Sequence, residues 1–98
     1  MKIASIKWYK DRIEHIAKHK IEPYEVEQAA FDDPYKMFKK VATSDGFPGK
    51  YVYRLLGRTE AGRHLAFFFI PIEAEVVYPV TARNMNDSER GLYNAHRR

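Results

Sequence analysis

Apolar and polar positions change period several times along this chain, and each change marks an element. Lys2 to Trp8 alternates loosely, with Ile3, Ile6 and Trp8 apolar, and predicts a short first strand anchored by Trp8. From Tyr9 to Lys20 the spacing is helical. Ile13, Ile16 and Ala17 fall at i, i+3 and i+4, while Arg12, His15, Lys18 and His19 take the opposite side. Lys18, His19 and Lys20 suit the last turn, where cations meet the negative end of the helix dipole. Pro23 is placed to start a second helix, with Val26, Ala29 and Ala30 as a thin apolar stripe and Phe31 as a terminal plug. Phe31-Asp32-Asp33-Pro34 stops it, because Pro34 disfavours helical backbone at Asp33.

The second half alternates. Tyr35 to Val41 fits a strand with its lysines on the wet face, and Ser44 to Gly49 is a loop. Tyr51 to Thr59 places Tyr51, Tyr53, Leu55 and Gly57 on one face, and Val52, Arg54, Leu56 and Arg58 on the other. Glu60-Ala61-Gly62 is a tight connection. His64 to Ile70 is almost wholly apolar, as in a strand covered on both faces, and Pro71 is expected to end it. Val76 to Ala82 is the last strand. Pro79 within it cannot donate to a ladder and predicts an edge position or a bulge, and a bulge there decides which face Arg83 takes. Asn86 caps a final helix with Glu89 as its capping-box partner. Met85, Ser88, Leu92 and Ala95 are its expected inner stripe. Glu89, Tyr93 and His96 lie on an adjoining stripe, with Arg90, Asn94, Arg97 and Arg98 further round. Helices before and after the strands predict an α+β fold: a twisted antiparallel sheet of three to four strands, with two N-terminal helices and a C-terminal helix packed against it.

Composition narrows the function classes. The 98 residues, 45% of them hydrophobic, suffice for one domain spanning residues 1–98 with one core. Cysteine is absent, which removes disulfides, thiolate catalysis and cysteine-held metals. No segment approaches the roughly 18–20 consecutive apolar residues of a membrane helix, so a cytoplasmic chain without membrane contact is expected. A net charge of +4 favours polyanionic partners, although no block of like charge suggests a disordered basic arm.

Candidate chemistry follows from that charge. His15 and His19 share a helix face at i, i+4, which is also the spacing of paired metal ligands. No glutamate lies between them and Lys18 competes for the space, so they read as a surface pair. Asp32-Asp33 reads as a helix stop. Gly57 to Gly62 is a hairpin, not a phosphate loop, and Ser5, Ser44 and Ser88 lie in no nucleophile context. No metal or cofactor is expected. The cations Lys18, His19, Arg54, Arg58, Arg63 and Arg83 are the sharper set. Arg58 and Arg63 flank one turn and Arg83 ends a strand near the same edge, so that three guanidinium groups could converge on a phosphate.

The whole chain resembles the BrnT family of bacterial toxins, related in fold to RelE-type ribonucleases. The likeness is carried in order by several pieces. They are Trp8 followed by Arg12, His15, Lys18 and His19; Phe31-Asp32-Asp33-Pro34; Arg54 to Thr59 with Gly62-Arg63; and Ala82-Arg83, Asn86 to Glu89, Arg90 and Tyr93. The chain departs from the family at His15, where Asn is usual, at Lys20, where Gly is usual, and at Asn86, where Thr caps the helix. The resemblance implies a RelE-like fold and the toxin of a type II toxin–antitoxin pair. Such a toxin is a metal-independent endoribonuclease that uses the RNA 2′-hydroxyl as nucleophile. A cognate antitoxin of ribbon-helix-helix type would neutralise it, in a heterotetramer built on an antitoxin dimer. By the same resemblance Arg83 and Arg63 stabilise phosphate charge, with Arg58 and Arg54 as further RNA-phosphate contacts. Lys18 or His19 would be the base or electrostatic helper, and Glu89 or Tyr93 a proton-transfer or positioning group. A module that keeps the fold and binds protein or RNA without catalysis is the alternative.

Overall fold

The alternating segments of the second half become neighbours in one sheet. A computed structural model describes residues 1–98. Its elements are β1 (Ser5–Ile6), α1 (Lys10–Ala17), α2 (Pro23–Glu27) running on into a π-helical segment (Gln28–Asp32), β2 (Met37–Thr43), β3 (Tyr51–Arg58), β4 (His64–Glu73), β5 (Val76–Asn84) and α3 (Asp87–Arg97). The sheet order is β1-β5-β4-β3-β2. Short turns join β2 through β5 as antiparallel neighbours, and Gly62 takes the positive φ of 91° that the β3–β4 turn needs.

The α+β class holds, but the expected RelE-like antiparallel sheet of three to four strands does not. The sheet has five strands and is mixed. β1 lies parallel to β5, pairing Ser5 with Val76 and Ile6 with Val77. Sequence-adjacent pairing says nothing about this contact, because the N-terminal segment occupies the free edge left by the last hairpin. The expected pair of N-terminal helices also needs correction. α2 is five residues long and widens directly into the π turn, so its second half is not regular α-helix. β4 runs through Pro71 to Glu73, past the expected stop, with a register shift at that point. No helix is long and apolar enough to cross a membrane.

The sheet faces are unequal. On one, Leu55, Leu65, Phe67, Phe69 and Ala82 meet Ile16, Ile21, Val26, Ala29 and Ala30 in a thirteen-residue core. Gly57 lets the π segment approach β3, since a Cβ there would stand 2.7 Å from Ala29 O. On the other face only Leu56, Ala66, Met85 and Tyr93 form a buried cluster under α3. Such a small patch leaves much of this face open.

α3 is seated by polar groups more than by its apolar stripe. Leu92 is 48% exposed and Ala95 is exposed, whereas Glu89 and Tyr93 point inward. The reason is what the sheet offers: Arg83 for Glu89, and Asp33 for the Tyr93 hydroxyl. Buried Asp33 accepts from Tyr35 N and Arg58 N at 2.8 Å each and from Tyr93 Oη at 2.6 Å, tying the π segment, β3 and α3 together. The predicted capping box forms, with Asn86 Oδ1 accepting from Glu89 N and Glu89 Oε1 accepting from Asn86 N. A second box, Glu22 with Glu25, starts α2 at Pro23.

Candidate functional site

β1 pairs with β5 only as far as Val77, so the rest of the outer β5 edge lacks a strand partner. α1 lies along it. Arg12 Nη1 donates to Val80 O at 2.9 Å, and His15 Nε2 lies 3.0 Å from Thr81 Oγ1. Further along, Arg63 Nη1 donates to Lys20 O at 2.8 Å and Nη2 to His19 O at 3.3 Å. The helical spacing of His15 and His19 now has a geometric consequence: their rings meet edge to face with centroids 6.0 Å apart.

Pro79 marks the bulge that its chemistry predicts. Phe69 pairs with Pro79 and Phe68 with Thr81, so Val80 is the extra residue. Thr81 and Arg83 therefore project on the α3 face, with Ala82 and Asn84 on the other. Two residues apart on one strand, Thr81 and Arg83 stand about 7 Å apart. The register places Lys39, Arg54, Phe68 and Thr81 in one row across four strands, and Met37, Leu56, Ala66 and Arg83 in the next.

Arg83 is held by Glu89 through two bonds, Nη1 to Oε1 at 2.6 Å and Nη2 to Oε2 at 2.9 Å. Arg54 Nη1 lies 3.6 Å from the same carboxylate. Hydrogen bonding from Arg83 holds the Glu89 carboxyl below its usual range against the opposing effect of burial, and the same bond raises the Arg83 guanidinium. Two guanidinium groups share one carboxylate, leaving a net positive charge. Arg83 stacks over Phe68 at 5.2 Å, its side chain 37% exposed, and the buried Arg54 Nε has no partner. His15 is pushed below the usual imidazole pKa, first by desolvation and then by Arg12, Lys18 and His19. It is neutral at pH 7 and able to accept a proton.

The predicted site residues divide. Arg83, Glu89 and Arg54 form one cluster, and Lys18 and His19 lie exposed just past the end of α1. The expected convergence of Arg58, Arg63 and Arg83 does not form. Arg63 sits toward the other face, where it binds Asn84 Oδ1 at 2.8 Å, the carbonyls of His19 and Lys20, and both Glu25 oxygens. It is a brace between β4, β5 and the α1–α2 turn. Arg58 shares the face of Arg83 but lies beyond α3, beside Asp33 and Thr59. Tyr93 is buried, and desolvation, with Asp33 adding, pushes its phenol up to about 12, so it holds its proton. No group of three metal-ligating side chains converges anywhere in the fold.

His15, Phe68, Thr81 and Lys39 were not picked out from the sequence as site residues. Alternation puts Arg54 on one face, but finding Phe68, Thr81 and Lys39 beside it requires the register. No family model matches the chain, and no curated protein matches it.

Proposed function

We propose that this chain is a toxin of the BrnT kind, a metal-independent endoribonuclease acting in the cytoplasm and neutralised by a cognate antitoxin. The observation that carries the reading is the paired imidazoles of His15 and His19 on the open β5 edge, with Thr81 linking His15 to the strand that bears Arg83. This supplies the three things that cleavage through the 2′-hydroxyl needs: a base, an acid and fixed positive charge.

In the proposed reaction Thr81 accepts from His15 Nε2–H, which leaves Nδ1 with its lone pair. His15 takes the proton of the 2′-hydroxyl, and O2′ attacks the adjacent phosphorus. The bond from phosphorus to O5′ breaks, and His19, acting as the acid, gives a proton to that oxygen. The products are a 2′,3′-cyclic phosphate and a 5′-hydroxyl end. Arg83 offsets the charge that builds on the phosphoryl oxygens, and Glu89 holds its guanidinium in place. Phe68 offers a ring on which a base can stack, and Lys39 extends the positive row. Lys18 acts indirectly, by keeping the proton off His15.

One observation favours the non-catalytic alternative: Glu89 already engages both Arg83 and Arg54. Expression of the chain alone in bacteria separates the two. The catalytic reading expects growth arrest with loss of intact RNA, relieved by His15→Gln with the protein still folded. Normal growth at good expression, with purified protein that retains RNA but leaves it uncut, would establish the binding module instead.

A further inference from the structure

A recess of about 430 Å³ opens where β4 begins, β5 ends and α3 makes its first turns. It is lined by Gly62, Arg63, His64, Asn84, Met85 and Arg90, with no carboxylate among them. Arg90 follows Glu89 on α3 and so projects roughly 100° further round the helix, away from the Arg83 pair. Its guanidinium makes no ion pair, unlike those of Arg12, Arg54, Arg63 and Arg83. We propose that this recess binds a phosphate group, free or carried on a nucleotide, with Arg90, the Asn84 amide and His64 as its donors and Arg63 as the brace that sets them.

Arg63 is central to the preorganisation. Its Nε donates to Asn84 Oδ1 at 2.8 Å, which leaves the Asn84 NH₂ as the free end of that side chain. Its remaining side-chain bonds, to the carbonyls of His19 and Lys20 and to Glu25, hold it rigid and neutralise it, so it shapes the wall without contributing net charge. Backbone fixes the other side, where Met85 N donates to His64 O at 3.0 Å. Donors from two strands and a helix surround a ligand from several directions. That suits a tetrahedral oxyanion better than a planar carboxylate, and a guanidinium matches phosphate oxygens in bidentate fashion. The volume leaves room for a nucleoside behind the phosphate.

The surroundings of His64 agree. Its ring packs edge-on against Tyr93 at 5.5 Å, and it faces Arg90, Arg97 and Asn94 from α3 and Arg58 from β3. Desolvation first, then those three cations, hold the His64 imidazole below its ordinary range against the Asn94 hydrogen bond that raises it. A bound dianion would oppose those cations and raise it.

The test is titration of the full chain with inorganic phosphate, with adenosine monophosphate, and with 2′-O-methyl oligonucleotides bearing or lacking a 5′-phosphate, followed by NMR. Saturable shifts centred on His64, Asn84 and Arg90 are expected, together with a rise in the His64 pKa at saturation. Arg90→Gln should weaken binding at least tenfold with the amide spectrum otherwise unchanged. The inference is separate from cleavage: His15→Gln, which removes the proposed base, should bind phosphate as the parent chain does. Tighter binding of the 5′-phosphorylated oligonucleotide than of inorganic phosphate would identify a nucleic-acid end as the source, and equal binding a free phosphate. Shifts spread over the basic surface without saturation, or binding unchanged in Arg90→Gln, would overturn it.

Discussion

Tyr93→Phe tests whether the buried phenol is structural or catalytic. The hydroxyl donates to Asp33 Oδ2 at 2.6 Å in a site where Tyr93 is 1% exposed. A hydrogen bond to a charged group contributes about 1.5–3 kcal/mol, and removing it leaves the buried Asp33 carboxylate with only its two backbone donors. The pKa sets how that gap changes with pH, because burial first, and Asp33 after it, raise the cost of ionising the phenol in the fold. The phenol moves from 10.0 to about 12. At 1.36 kcal/mol per unit this amounts to about 2.7 kcal/mol. The sign follows from proton binding. Between the two values the unfolded chain loses the phenolic proton while the folded chain keeps it, so the contribution is complete below pH 10 and disappears as pH rises toward 12. Urea unfolding at pH 8 should therefore show the parent chain about 2–3 kcal/mol more stable than Tyr93→Phe. That gap should shrink steadily above pH 10, with the variant cancelling the titration of the other tyrosines and the lysines. Equal stability at pH 8, or a gap that persists unchanged through pH 12, refutes the structural assignment. So does a fully stable variant that has lost RNA cleavage.

Glu89→Gln keeps the shape of the helix cap but removes the charge facing Arg83 and Arg54. Urea unfolding at pH 7 should show a loss of about 1.5–3 kcal/mol. Because the folded carboxyl lies below its ordinary value, the parent's advantage is present above about pH 4.3 and is lost as pH falls through the lower folded value, which an acid unfolding series on both proteins would follow. Gly57→Ala sets a Cβ 2.7 Å from Ala29 O and 3.1 Å from Ala29 Cβ, so β3 and the π segment must separate. A loss of about 1–3 kcal/mol is expected, read from the thermal midpoint, and an unchanged midpoint would contradict the close approach.

Local rules carried the reading of single elements. Asn86 with Glu89, Pro23 at a helix start, Gly62 at positive φ and the bulge at Pro79 each depend on chemistry within a few residues, and each is where the pattern placed it. Apolar periodicity did less well on the helices. Ile13 and Leu92 were expected inside and are 38% and 48% exposed, while Glu89 is 4% exposed. A charged residue can face inward when its partner waits there, and the partners Arg83 and Arg54 belong to other strands.

Residue chemistry and spacing alone determined the α+β class, the run of strands, the caps, and a cationic set in which Arg83 stood beside a helix start. Tertiary structure alone decided which cations share a surface. The bulge at Val80 turned Arg83 toward α3 and Asn84 toward Arg63, making one arginine part of an open cluster and the other a brace. It also brought His15 of α1 to Thr81, 66 positions away. The physical reason is that a strand's side chains alternate with a period of two, so one extra residue reverses every face beyond it. No local pattern reports the partner strand against which that residue is extra.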